Sequence, residues 1–143
     1  MEVIDFDGTH SAHSIAGLEQ LLGVRFKDQL NHFWLRADGS KFPELAISVK
    51  SDLSAIHYFP QKRHAGFVSL GGKLNFDPDK TTTFSINHSP ANNIYVRNEF
   101  VIPFAEAMKV AKEFFSRAAS FDRVGRALEA GHEQVTDLVP SDR

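Results

Sequence analysis

HFWLRADGSKFPELAISVKSDLSAIHYFP, residues 32–60, is the stretch on which the fold turns. It opens with His32-Phe33-Trp34-Leu35-Arg36, a run of β-forming residues, and leads into Asp38-Gly39, a hairpin dipeptide. Leu45-Ala46-Ile47-Ser48-Val49 reads as the returning strand. Pro43 stands just ahead of it, where a missing N–H costs no ladder hydrogen bond. Ser51-Asp52 makes the next turn, and Leu53 to Phe59 form a third strand that Pro60 ends. Strand side chains alternate, so Ile56 and Tyr58 share one face, while Leu53, Ala55, His57 and Phe59 share the other. If Ile56 and Tyr58 face a helix, Phe59 points away from it and needs apolar cover of its own.

Working outward, Gly66 to Leu70 form a fourth strand closed by Gly71-Gly72, and Thr82 to Ile86 and Ile94 to Arg97 add two more. Toward the N-terminus, Met1 to Phe6 read as a short strand stopped by Asp7-Gly8. Ser14 then caps a helix with Ile15, Leu18, Leu21 and Leu22 on one face, and Gly23 ends it. Toward the C-terminus, Pro103 suits a first helical turn. Phe104, Ala107, Met108, Ala111, Phe114 and Phe115 recur at three- and four-residue spacing. That stripe must lie against apolar surface, and the sheet alone is large enough. The expected fold is α+β, a single antiparallel meander of about five to six strands packed against an N-terminal helix and a long C-terminal helix. Residues 1–120 make one domain. Residues 121–143 form an extension, with a short helix carrying Phe121, Val124 and Leu128 and a polar tail from Gly131.

Composition agrees with one globular domain. The 143 residues are 42% hydrophobic and 24% charged, and thirteen phenylalanines supply bulk for a core. No cysteine is present, so disulfides and thiolate metal sites are excluded and a reducing compartment fits. The start, MEVIDFDG, lacks the basic and apolar segments of a signal peptide, and no apolar run is long enough for a membrane helix. A cytoplasmic location is the default. The net charge of −2 argues against nucleic acid as a direct ligand. Residues 1–60 carry a net −3 and the remainder a net +1, which tilts the first half toward a basic partner.

Val3-Ile4-Asp5-Phe6-Asp7-Gly8-Thr9 resembles the first motif of the haloacid-dehalogenase phosphatases, D-x-D-G-T at a strand end. The resemblance implies Asp5 as nucleophile and Asp7 as acid/base beside a magnesium ion. That chemistry needs a central strand of a parallel sheet, hence a nearly continuous apolar run, whereas only Val3 and Ile4 precede Asp5. Asp77-Pro78-Asp79, the later acidic pair, lies in a turn-like context. An acidic turn at a strand end is the better reading. His10 and His13 lack a third metal ligand at a suitable spacing, Gly71-Gly72 lacks the phosphate-loop pattern, and Lys62-Arg63-His64 reads as a solvated loop. No catalytic set, metal site or cofactor site assembles.

Several segments carry a second resemblance: Asn31-His32-Phe33-Trp34-Leu35, Phe42-Pro43-Glu44-Leu45, Ser51 through Pro60, and His64-Ala65-Gly66-Phe67-Val68-Ser69. With Asp7-Gly8-Thr9-His10, Ile102-Pro103-Phe104 and Ala111-Lys112-Glu113-Phe114-Phe115, they are similar to a bacterial immunity-protein family, the first-numbered of its kind. The likeness covers roughly residues 1–116. Members are encoded beside polymorphic toxins, commonly of the deaminase fold. The resemblance implies a non-enzymatic inhibitor that binds its cognate toxin domain and covers the catalytic cleft. The zinc-activated water of such a deaminase belongs to the toxin.

An inhibitor of a nucleic-acid enzyme should offer acidic groups to a basic groove, with a few aromatic anchors. Asp5, Asp7, Asp38, Glu44 and Asp52, each at or beside a predicted turn, are the acidic candidates for partner binding. Trp34 and Tyr58 are the aromatic ones. A small-molecule binding module would instead require a deep apolar pocket with convergent polar groups.

Overall fold

Strands β3 (Leu30–Arg36), β4 (Glu44–Lys50) and β5 (Leu53–Phe59) form an antiparallel triplet, as residues 32–60 predict. Arg36 pairs with Glu44, so residues 37–43 close the first hairpin as a longer loop than Asp38-Gly39 alone would make. Gly39 holds φ +73, a conformation that costs glycine nothing. Lys50 pairs with Leu53, leaving Ser51 and Asp52 as the two-residue turn. The structure is a computed structural model that describes residues 1–71, 74, 76–118 and 137–140.

Strand β6 (Phe67–Leu70) continues the meander along the outer edge of β5, and β9 (Ile102–Pro103) takes the other half of that edge. Ser69 bridges the junction: the Ile56 N–H donates to its Oγ at 3.0 Å, and its hydroxyl donates to Phe100 O at 2.7 Å. On the far side, the hairpin of β1 (Glu2–Asp5) and β2 (Gly8–Ser11) docks β1 against β3. β10 (Asp137–Pro140) pairs with β6, within the stretch expected to be a polar tail. The main sheet runs β10-β6-β5-β4-β3-β1-β2, with β9 as its eighth strand, and every pairing is antiparallel. The expected helix around Phe121, Val124 and Leu128 lies outside the described residues.

The expectation of one sheet needs a correction. β7 (Thr81–Ser85) and β8 (Asn93–Arg97) pair with each other as a separate ribbon, and β7 packs across β3 and β4. Thr82, Phe84, Ile94 and Val96 share one ribbon face, with Phe84 fully buried. The ribbon therefore supplies the apolar cover that Phe59 and its face require.

The opposite face of the sheet carries the core. Phe33, Leu35, Leu45, Ile47, Val49, Ile56 and Tyr58 alternate onto it and are all but excluded from solvent. Helix α1 (Ile15–Leu22) adds Leu18 and Leu22; the Ser14 hydroxyl caps it by accepting from the Gly17 N–H at 3.0 Å. Helix α2 (Phe104–Arg117) begins directly after Pro103, which sits at the cap rather than in the first turn. It buries Ala107, Val110, Ala111 and Phe114, while Phe104, Met108 and Phe115 are partly buried at its margins. No helix among the described residues is long and apolar enough to cross a membrane.

Candidate functional site

The register separates the acidic candidates. Arg36 pairs with both Glu2 and Glu44, which puts Glu44 and Asp38, in the loop before it, at one end of the sheet. Asp5 pairs with Gly8, and Lys50 with Leu53, which puts Asp5, Asp7 and Asp52 at the other end. The seven nominated residues are thus not brought to one patch.

At the first end Glu44 is nearly buried and ion-paired to Arg36 Nε, whose Nη1 also reaches Glu2 Oε1 at 3.5 Å. Asp38 is 73% exposed and lies 3.2 Å from the Met1 ammonium. At the second end, Asp5 is drawn inward. Its Oδ1 accepts from the Asp7 N–H at 2.8 Å and meets His10 Nε2 at 3.0 Å, and its Oδ2 accepts from Asn31 Nδ2 at 3.3 Å. Asn31 is itself fully buried, and its Oδ1 accepts from the backbone N–H of Phe6 and of His32. The D-x-D-G-T segment is a self-bonded turn with Gly8 at φ +124. Its strand has an antiparallel neighbour on each side, so the parallel crevice that phosphatase chemistry needs is absent around Asp5.

Asp7 and Asp52 are exposed. At this end Phe6, next to Asp7 in sequence, lines a groove of about 590 Å³ between the N-terminal turn and the ribbon. Phe6, Phe26 and His88 meet in its wall, with ring centroids 5.0–5.7 Å apart, and Lys27 and Lys50 flank them. Asp28, at φ 61, also lines the groove; polar sequence around it gave no hint of that place. Arg25 closes this end, its guanidinium 4.4 Å over the Phe104 ring. Burial pulls Arg25 below its ordinary pKa, and the Asp52 charge opposes that shift.

The aromatic candidates part company. Tyr58 is a core residue, 1% exposed, edge-on to Phe114 with centroids 6.4 Å apart, so its ring offers no surface to a partner. Trp34 is half-buried on the ribbon-covered face, in edge contact with His32 at 4.7 Å. There a second cavity of about 280 Å³ separates sheet from ribbon. His32 in its wall is buried, and its Nδ1 shares a 2.9 Å hydrogen bond with Ser48 Oγ. Among the described residues its Nε2 has no hydrogen-bond partner, and burial lowers its pKa to about 4. A histidine within an ordinary strand pattern carries no sequence signal for such a role. Among the described residues no three His, Asp or Glu side chains gather as a metal set; His10 bonds Asp5, and His13 stands exposed ahead of α1.

No family model matches the chain. A relative described as a double-stranded DNA deaminase immunity protein, from Burkholderia cenocepacia (strain H111), is 25% identical over 112 residues, 78% of this chain and 86% of the relative.

Proposed function

We propose that the chain is an immunity protein that binds and neutralises a cognate bacterial toxin, a DNA deaminase, by covering its active site. The observation that carries this reading is the alignment with the deaminase immunity protein across most of both chains. The chain acts by binding, in the cytoplasm of the toxin-producing cell, and performs no chemistry of its own. The contact surface is the sheet end that holds Asp7 and Asp52. There exposed Asp7 directly follows Phe6, whose ring meets Phe26 and His88 in a groove that Lys27, Asp28 and Lys50 also line, and protein interfaces favour such a mix of apolar centre and charged rim. Asp38 and Glu44, at the opposite end, contribute through stability.

The test pairs the purified chain with the toxin domain encoded beside it. A stable complex in gel filtration, and stoichiometric loss of duplex-DNA deamination, are expected. A toxin that stays fully active with a molar excess of the chain would sink the proposal.

A further inference from the structure

Three features outside the proposed toxin-facing end invite a function: the ion-paired Glu2–Arg36–Glu44 group, the exposed Tyr95 on the ribbon, and the cavity under the ribbon. The first is internally satisfied, and the second is a lone side chain. The third carries an inference.

We propose that the cavity between the main sheet and the β7–β8 ribbon is a binding site for a small, flat, uncharged molecule whose single hydroxyl hydrogen-bonds to His32 Nε2. Its volume of about 280 Å³ suits a one-ring compound with a short substituent. Its walls favour flatness: the stacked His57 and Phe59 rings, with centroids 4.1 Å apart, line it together with Trp34 and Phe100. Among the described residues no Asp, Glu, Lys or Arg side chain lines it, so a charged ligand would find no counterion there for the hydration it loses.

The polar demand comes from His32. One ring nitrogen is engaged by Ser48, and the other is buried with no partner among the described residues, a state that proteins seldom leave unresolved. The Ser48 hydroxyl can donate to Nδ1 or accept from it, so Nε2 can be either acceptor or donor. A hydroxyl serves both cases, which is why the ligand class is an aromatic alcohol rather than an amine or a carbonyl compound. Burial keeps the imidazole neutral near pH 7, so no anion is called for. Nε2 has no open surface of its own, and engagement requires the Trp34 ring, in edge contact with the imidazole, to shift.

That shift supplies the readout, because Trp34 is the only tryptophan in the sequence. The full chain is titrated with p-cresol and with p-xylene, which share ring and length but differ by the hydroxyl. A saturable change in Trp34 fluorescence is expected with p-cresol, with p-xylene about tenfold weaker, the ratio one neutral hydrogen bond supplies. The His32 ring 15N resonances should move with p-cresol alone. His32→Phe should erase the preference for p-cresol. Ala46→Leu, which fills the cavity from the sheet side, should abolish both responses while the far-UV circular dichroism stays unchanged. Equal affinity for the two probes, a response that never saturates, or binding that survives Ala46→Leu would each overturn the proposal. The assay needs no toxin, so its failure leaves the toxin-binding reading untouched.

Discussion

Asn31 Nδ2 donates to Asp5 Oδ2 at 3.3 Å, and this bond ties the N-terminal turn to the second residue of β3. Asp5 is an acceptor for three neighbours at once, with its side chain 3% exposed. Asp5→Asn turns one acceptor into a donor that faces another donor, and should cost about 1–2 kcal/mol. Asp5→Ala removes all three bonds and should cost about 2–3 kcal/mol. Urea unfolding measures both. A phosphatase would behave differently: magnesium-dependent phosphoester hydrolysis by the wild type, lost in Asp5→Asn, would restore the catalytic reading.

His32 should make stability depend on acid. Its pKa falls from 6.5 to about 4 on burial, so between those values the unfolded chain binds the proton and the folded chain does not. Stability from this group is therefore complete above pH 6.5 and is lost as pH drops toward 4. The loss is on the order of 3 kcal/mol. His32→Gln should flatten that part of the profile, since it removes this one titrating group and leaves every other in place. Matching slopes in wild type and variant between pH 6.5 and 4.5 would contradict the buried neutral imidazole.

Much of the sheet was legible because its signals are local. Alternation in Leu53–Phe59 and the Ser51-Asp52 turn define β5 and its register, and Ser14 and Gly23 bracket α1. The ribbon was half legible: Thr82 to Ile86 and Ile94 to Arg97 read as strands, but a strand lying across a sheet alternates like one lying within it. Gly8–Ser11 has no apolar residue to alternate, and its pairing follows from β1 alone. The candidate sites were less legible still. Asp5 and Asp7 are two residues apart, yet one is bonded inward and the other exposed, a distinction that Asn31, distant in sequence, imposes. His32 differs from any strand histidine only through Ser48 and the ribbon above it.

Ser69 holds the point where β6 and β9 share one edge. Its hydroxyl takes the Ile56 N–H and gives its proton to Phe100 O, so Ser69→Ala takes this partner from the buried Ile56 N–H and from the partly buried Phe100 carbonyl. The expected cost is about 2–3 kcal/mol. Denaturant unfolding should show a lower midpoint with an unchanged slope, because the folded surface is the same. A change below about 0.5 kcal/mol would mean that the two strands do not need this bridge.

The two ends of the sheet give the toxin-binding surface a direct comparison. Asp7 and Asp52 are exposed at one end and Asp38 at the other, and reversing Asp7 should change stability by only about 0.5 kcal/mol. Asp38→Lys also loses the ion pair to the Met1 ammonium, and Asp52→Lys removes a charge that acts on Arg25, each costing on the order of 1 kcal/mol, so unfolding midpoints are measured beside the rates. If the Asp7 end meets a basic cleft, Asp7→Lys combined with Asp52→Lys should slow association with the toxin about tenfold at low salt. The deficit should shrink as salt rises, since rim charges act mainly on the encounter and are screened within about 8–10 Å. Asp38→Lys should leave the rate within about twofold. Stopped-flow mixing of toxin and variant at two ionic strengths reads these rates. Slower association only in Asp38→Lys would move the interface to the end that holds Glu44, and unchanged rates in every variant would remove electrostatic steering from the account.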